Sequence, residues 1–276
     1  MHCDTDAATA IFAANRANAG ARIRYTPGEP LSRLSDLAEW GGHRVKFPTP
    51  TDRAEAVLLN TGGGMAGGDA LAVSVALEAG AALTFTTQSA ERIYRSAGAT
   101  STIALDLEVG AGADLAFIPQ ETIVFSHACL ARTITAEVAE SATLLLAEAL
   151  VFGRAASGER VTGGSLRDRW RIRRGGKLVY ADDVRLEGPM SELLQRAAIG
   201  DGAGAVGCLL LVSPDAADRL DFTRGLLGGA QCRVAASAWN GLLVVRAAGE
   251  PAALRQILGR AISGLSQRTL PRVWSL

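Results

Sequence analysis

The amino-acid sequence predicts a mainly β (α+β) fold, in which stacked strands form a β-helix-like or layered repeat. A C-terminal β-α-β-β-α part is expected to pack on this repeat. Three observations support the prediction: a recurring strand–turn–strand unit, apolar residues at every second position, and a change to helical spacing after about residue 190.

The repeat unit is about thirty residues long. Leu83, Leu115 and Leu144 hold equivalent positions, 32 and then 29 residues apart, each shortly after a Gly-Ala or Ser-Ala pair. Units of this size cover each other's apolar faces when they stack. Strict alternation predicts two strands within this region, at Ile103, Leu105, Leu107 and Val109 and at Ile134, Ala136 and Val138.

A hairpin that turns at Gly175-Gly176 follows the repeats. On its first strand, Leu166, Asp168, Trp170 and Ile172 alternate with four arginines: Arg167, Arg169, Arg171 and Arg173. Four arginines on one face cannot all be buried at low cost. Two interpretations stay open, a solvated face or a surface that docks an acidic partner.

The C-terminal part begins with an apolar strand at residues 206–212. Ser213-Pro214 then offers an N-cap and an N1 proline for a helix that ends near Leu227. Two strands turn at residues 239–241, and Pro251 begins a last helix. One face of that helix carries Leu254, Ile257, Leu258, Ala261, Ile262 and Leu265.

No Pro/Ser-rich linker divides the chain, so residues 1–276 are interpreted as a single domain. Residues 45–190 form its strand-rich repeat and residues 191–276 its α+β part. Residues 1–20 are a candidate for a disordered extension.

A glycine-rich loop contains Gly62-x-Gly64-x-x-Gly67, the spacing of a dinucleotide-binding loop. In that loop a helix opens at the last glycine and holds the pyrophosphate. Here period-two alternation from Leu71 predicts a strand, and Asp69 would repel phosphate. A tight strand–turn–strand is therefore favoured, and a nucleotide- or cofactor-binding enzyme remains the alternative. The loop glycines are Gly62, Gly63, Gly64, Gly67 and Gly68.

Composition argues against several function classes. Lys plus Arg and Asp plus Glu number 28 each, so no basic field predicts binding to nucleic acid or membrane. The four cysteines form no CxxC, and no secretory signal is evident, which indicates reduced thiols in the cytoplasm. With three histidines and no GxSxG, the sequence nominates no catalytic residue.

Five motifs occur together in one order along the chain. They are residues 60–69 (NTGGGMAGGD), residues 86–90 (TTQSA) with Tyr94-Arg95-Ser96, Pro119-Gln120-Glu121, residues 153–159 (GRAASGE) and residues 270–274 (LPRVW). Together they resemble the urease accessory protein family UreD, called UreH in some organisms, over residues 45–276. The first 45 residues depart from the family pattern.

The resemblance implies a scaffold and chaperone in place of a catalyst, with a strand-rich fold and few helices. It implies a hetero-oligomer with apo-urease and UreF, which recruits UreG. It also implies nickel insertion into urease, with nickel held only transiently and no tightly bound cofactor.

Nickel that is passed on should meet oxygen ligands and water in place of thiolates. At motif positions, the candidate carboxylates are Asp69, Glu121, Glu148 and Asp183, with Thr86, Thr87 and Gln88 as neutral lining.

Glu148 interrupts an apolar run, so it is either paired, with Arg154 as one candidate, or faces a wet cavity. For Asp69 an Asx-type turn is the alternative. A structural ladder explains the recurring Gln88 and Gln120 equally well.

The loop at residues 153–159 is predicted to be a turn set by Gly153 and Gly158. Arg154 either pairs with Glu159 across this turn or contacts a partner protein. Trp274 is expected to pack its indole under the last helix, with partner binding as the weaker alternative.

Overall fold

The structure is a computed structural model that describes residues 16–49, 52–154 and 157–275. Within these ranges the strands form a seven-stranded sheet and a ten-stranded sheet that enclose most of the apolar core. The mainly β, solenoid-like fold predicted from the sequence is confirmed.

The first sheet has the strand order β14-β13-β11-β8-β5-β1-β2. Its strands are β1 (Asn18–Thr26), β2 (Arg33–Trp40), β5 (Ala70–Leu77), β8 (Ser101–Val109), β11 (Cys129–Val138), β13 (Ser165–Arg174) and β14 (Lys177–Glu187).

The second sheet has the order β16-β17-β15-β12-β9-β6-β4-β3, and β10 additionally pairs with β12 and β7. Its strands are β3 (His43–Lys46), β4 (Ala54–Asn60), β6 (Ala82–Thr87), β7 (Glu91–Ile93), β9 (Asp114–Phe117), β10 (Thr122–Val124), β12 (Thr143–Phe152), β15 (Ala205–Val212), β16 (Arg233–Trp239) and β17 (Leu242–Gly249).

The central strands of both sheets are parallel, because the chain crosses from one sheet to the other and back in successive coils. The register pairs Leu83 with Leu115 and Leu115 with Leu144, so the alignment of the repeats is confirmed. Phe85 and Phe117 occupy the next inward position, and their rings stack with centroids 4.9 Å apart. Inward residues of successive coils therefore form continuous apolar ladders.

The N-terminal region extends the first sheet further than the sequence indicated. β1 pairs in parallel with β5 and places Ile23 opposite Val75. Its residues at positions 19, 21, 23 and 25 are buried, as expected of a strand with one buried face. The predicted disordered extension is therefore wrong for residues 18–20, and residues 1–15 lie outside the described part of the chain.

The C-terminal β-α-β-β-α part continues the second sheet, since β15 pairs antiparallel with β12. Its helices are α2 (Leu220–Leu226) and α3 (Pro251–Ser266), preceded by the short α1 (Met190–Gln195), which the sequence did not indicate. The whole apolar stripe of α3 is buried, and Glu250 caps the helix by accepting hydrogen bonds from two backbone amides. No helix in the described residues is long and apolar enough to cross a membrane.

The helix expected directly after Ser213-Pro214 begins later, at Leu220. The Ser213 hydroxyl donates to Asp215 Oδ1 at 2.6 Å, and residues 214–219 form turns. Ser213 therefore stabilises a turn and does not cap a helix.

Candidate functional site

A buried ion-pair cluster joins the two sheets. Arg132 on β11 donates from Nε and Nη2 to both carboxylate oxygens of Asp168 on β13, at 2.9 and 2.7 Å. Its Nη1 donates to Glu148 on β12 of the opposite sheet. The three residues are 2%, 4% and 5% exposed, in the order Arg132, Asp168, Glu148. We call this group the Arg132 cluster.

The Arg132 cluster has one cation for two carboxylates. Burial raises the pKa of Glu148 to about 7, Arg132 opposes the rise, and Asp168 adds to it. Burial lowers the pKa of Arg132, but Asp168 and Glu148 raise it by more, so the guanidinium stays charged. The cluster is therefore a buried centre that carries a net negative charge whenever Glu148 is ionised.

Glu148 lines three adjoining cavities. The largest, about 490 Å³, lies where β13 and β14 separate from β15 and β17, and Asp182 and Arg246 also line it. A second cavity of about 50 Å³ lies between the sheets and is lined by Thr87 and Glu91 as well. A third of about 10 Å³ contacts Glu121.

A fourth cavity, about 40 Å³, lies beside the glycine-rich loop. It shares Thr87 and Glu91 with the cavity between the sheets. The shared side chains place the cavities in series from the glycine-rich loop, past Glu148, to the large cavity at the sheet edge.

Two of the four predicted carboxylates meet in the structure. Glu121 lines the same small cavity as Glu148 and pairs with Arg255, whose Nη1 lies 2.6 Å from Oε1. Asp69 instead accepts backbone hydrogen bonds from Ala17 and Ala66, at 2.9 and 2.7 Å. The carboxylate of Asp69 thus fixes the turn that leads into β5, but through the amides of Ala17 and Ala66 and not through the residue two positions on, as an Asx-type turn would.

Asp183 needs a correction, because the structure places it on the outer face of the first sheet. Its carboxylate lies 2.9 Å from Arg167 and 3.5 Å from Arg169, and the hydrogen bond from Arg167 lowers its pKa. Its neighbour Asp182 faces the cavity of about 490 Å³ and pairs with Arg246 at 2.6 Å. Asp182 is therefore the acid of β14 that a route through the interior would meet.

The neutral residues of the predicted lining differ from one another. Thr87 lines the inner cavities, whereas the buried Thr86 donates its hydroxyl to Ile118 O at 2.7 Å. Gln88 is exposed, while Gln120 is buried and accepts a hydrogen bond from Arg255 at 2.5 Å. The two glutamines therefore do not form a ladder.

The predicted alternation along β13 is confirmed, and we call the outward residues Arg167, Arg169, Arg171 and Arg173 the arginine face. Arg173 lies 3.4 Å from Glu137, and Arg171 donates to the Asp182 carbonyl at 2.9 Å. With Asp183 beside the other two, the face presents mixed charge to solvent.

The glycine-rich loop connects β4 directly to β5, so the strand predicted from Leu71 is confirmed. Tyr94 donates its hydroxyl to Gly63 O at 2.7 Å. A Cβ at Gly64 would lie 2.6 Å from the Tyr94 ring, and one at Gly67 would lie 2.2 Å from Ser96 Oγ. Two motifs distant in sequence thus form one packed unit, and the helix that a dinucleotide loop requires is replaced by a strand.

The remaining motif residues have structural contacts. Arg154 Nε donates to Glu159 Oε2 at 2.9 Å, which confirms the predicted pairing across the loop that begins at Gly153. Trp274 is half-buried beside α3 and donates Nε1 to Ile118 O at 3.1 Å. The Arg255 guanidinium lies 5.0 Å from the Trp274 ring centroid.

Arg132, the cation at the centre of the cluster, is not among the residues predicted from the sequence. Arg132 lies two residues before Ile134, in phase with the buried positions of β11. That phase was the signal available in the sequence. Glu91 and Asp182 had no comparable signal, because only the fold brings them to the cavities.

Metal-binding chemistry is sparse in the residues that the structure describes. No group of three or more His, Cys, Asp or Glu side chains there is arranged to hold an ion. Cys129, Cys208 and Cys232 are free thiols, and burial raises the pKa of Cys208 to about 11. The interior instead offers carboxylates beside cavities.

The fold and the interior together define a β-solenoid-like protein with a buried ion-pair cluster and cavities between its two sheets. The family model of the UreD urease accessory protein matches residues 17–275. The chain is similar to urease accessory protein UreD 1 of Methylobacterium radiotolerans, at 49% identity over 95% of this chain and 93% of that protein. It is also similar to UreD of Rhodopseudomonas palustris strain BisB18, at 43% identity over 98% of both chains.

The chain therefore belongs to the UreD family of urease accessory proteins, which implies a role in urease maturation. The relatives carry the name of accessory proteins, in agreement with a role outside catalysis.

Proposed function

We propose that this protein is a urease maturation chaperone that binds apo-urease and UreF, with UreG recruited through UreF, in the cytoplasm. It would help to deliver nickel to the urease active site through its interior, with no tightly bound cofactor. The observation that carries the proposal is Glu148, a buried carboxylate shared by three adjoining cavities in a protein of the UreD family.

Carboxylates at intervals would lower the cost of moving a divalent ion through protein, since an unpaired buried charge is strongly disfavoured. The cavities in series offer Glu91, then Glu148, then Asp182. Oxygen ligands bind Ni²⁺ less tightly than thiolates would, so the ion could leave each position again.

Arg132 sets a condition on this route. Its Nη1 donates to Glu148 Oε2, so an approaching cation competes with the guanidinium for that oxygen. Asp168 holds the other side of the guanidinium through two hydrogen bonds. Arg132 therefore keeps a counter-ion when Glu148 turns to a passing cation, and the carboxylate can be released without stranding a buried charge.

The arginine face is the proposed docking surface for an acidic segment of a partner, with Arg154 as an additional contact. Arg167 and Arg173 are exposed, and their acid partners are accessible to the same solvent. Exchange of these intramolecular pairs for intermolecular ones costs little, because exposed ion pairs are weak. Arg169→Glu with Arg171→Glu should reduce co-purification with UreF or urease, and unchanged recovery would assign the face to solvent.

The route is tested by co-expression of the chain with apo-urease, UreF and UreG, followed by metal analysis of the recovered urease. Glu148→Gln keeps an oxygen for Arg132 but removes the negative charge, so we expect an intact complex and several-fold less nickel in urease. Glu108→Gln, on the exposed face of β8, makes the same chemical change outside the cavities and outside the arginine face, so this matched control should load nickel normally. A normal nickel content of urease matured with Glu148→Gln would exclude this route. If even the wild-type chain formed no complex with apo-urease and UreF, the chaperone role itself would be excluded.

A further inference from the structure

A small pocket beside the glycine-rich loop contains a histidine that uses neither of its ring nitrogens. His43 on β3 is 4% exposed, and both Nδ1 and Nε2 are shielded from solvent without a hydrogen-bond partner among the described residues. The pocket has a volume of about 40 Å³. Buried polar atoms normally have a partner, so an unpartnered imidazole that lines a cavity indicates a missing ligand.

Glu91 also lines this pocket, and its Oε2 lies 3.9 Å from His43 Nε2. That separation is too long for a hydrogen bond. It does fit a cation between the two atoms, since metal–nitrogen and metal–oxygen bonds of about 2.1 Å can span up to about 4.2 Å. We infer that His43 and Glu91 form a binding site for a divalent first-row transition-metal cation.

The glycine-rich loop orients the carboxylate for this role. Asn60 donates Nδ2 to Glu91 Oε1 at 2.9 Å, and its own Oδ1 accepts from Gly62 N at 2.9 Å. Glu91 Oε1 is thereby occupied, and Oε2 is the oxygen left facing the imidazole. Hydrogen bonds of this kind position metal ligands and raise their affinity.

The ligand set determines the class of ion. Imidazole favours Ni²⁺, Zn²⁺, Cu²⁺ and Fe²⁺ over Mg²⁺ and Ca²⁺, which prefer oxygen alone. Thr87 and Ser89 also line the pocket, which has room for one or two waters to complete the coordination. Two strong protein ligands make a site that binds its ion and can release it.

The position of the site connects it to the interior. Glu91 also lines the cavity between the sheets, together with Arg132 and Glu148. The identification of the ion as nickel in transit rests on the proposed function, whereas the site itself rests only on the geometry of His43 and Glu91. The site therefore lies at the end of the row of cavities that is next to the glycine-rich loop.

The site is tested by titration of the untagged full-length chain with Ni²⁺ and with Zn²⁺ in competition with a chromophoric chelator. His2 and Cys3 are replaced by Ala and Ser throughout, because they adjoin the N-terminal amine and could chelate metal themselves. We expect one site that binds either ion, at least about tenfold weaker in His43→Leu and in Glu91→Gln. His127→Gln removes an exposed imidazole and should bind as the parent chain does.

Equal binding by the His43→Leu variant and the parent, with both folded by circular dichroism, would overturn the site. Absence of binding by the parent would also overturn it and would assign the pocket to a water molecule. The nickel content of urease matured with His43→Leu is a separate readout. Loss of binding with normal urease nickel would keep the site and remove it from the proposed delivery route.

Discussion

The two faces of β13 use the same ion-pair chemistry in opposite environments. On the inner face, Asp168 pairs with Arg132 in an interior that excludes water, and both side chains are almost fully buried. On the outer face, Arg173 pairs with Glu137 while their side chains remain 46% and 60% exposed. Because neighbouring residues of a strand point to opposite faces, the buried and the exposed environment alternate from one residue of β13 to the next.

The difference shows where charge is structurally costly in this protein. The outer pairs can separate into water at little cost, because solvent screens exposed charges. The Arg132 cluster has no such alternative, so its members must stay paired or change protonation. Charge on the outer face can therefore exchange one ion-pair partner for another at little cost, while charge in the cluster cannot.

Removal of Arg132, the cation of the cluster, should cause the largest loss of stability. Arg132→Met leaves two buried carboxylates without a cationic partner, although Asp168 keeps its hydrogen bond from Trp170 Nε1, and should lower the free energy of unfolding by about 3–5 kcal/mol. Arg173→Met on the outer face should cost less than about 1 kcal/mol. Urea denaturation of both variants measures the contrast. Similar losses for the two variants would contradict the assignment of the cluster as the costly site.

The pH dependence of stability should also differ between the faces. Burial raises the pKa of Glu148 to about 7 from its ordinary 4.5, so the native state holds this proton more firmly than the unfolded state does. The stability that protonated Glu148 contributes is complete below about pH 4.5 and is lost as the pH rises through 7. Relative to Glu148→Gln, the wild type should lose on the order of 3 kcal/mol across this range.

Asp183→Asn is the control for that measurement. Its hydrogen bond from Arg167 lowers the pKa of Asp183, so this carboxylate stays ionised above pH 4.5. The stability difference between wild type and Asp183→Asn should therefore be flat between pH 4.5 and 7.5. A matching slope in both variants would show that the effect is general and does not come from Glu148.

The smallest effect is expected from the pairing on the outer face itself. A double-mutant cycle with Arg173→Ala and Glu137→Ala should give a coupling energy of about 0.2–1 kcal/mol. This coupling should decrease at 0.5 M salt, since exposed charges are screened. A coupling that resists salt would show that the arginine face is less solvated than its exposure indicates.

The coil repeat could be predicted because stacking imposes one inward position on every coil. Leu83, Leu115 and Leu144 show this position directly in the sequence, and the register follows from it. Arg132 could have been found by the same reasoning, because it continues the buried phase of Ile134. An arginine in that phase predicts a buried carboxylate partner.

The choice between Asp182 and Asp183 could not be made from the sequence. The two residues are adjacent, and β14 carries polar residues on both of its faces. In addition, the register between β13 and β14 shifts between Ile172 and Arg173. The pocket of His43 was equally hidden, since it combines residues from β3, β4 and β7. β3 pairs with β4 whereas β7 pairs with β10, so only the complete fold brings these residues together, and no local pattern marks them.

Residues 255–274 complete contacts with residues that lie far earlier in the chain. Ile118 and Gln120 receive hydrogen bonds from Trp274 and Arg255, and Glu121 receives its salt bridge from Arg255. During synthesis the coils emerge from the ribosome well before these partners do. Until residues 255–274 have been synthesised, this side of the strands therefore lacks its cover, and it offers uncovered strands for a chaperone or a partner subunit to shield.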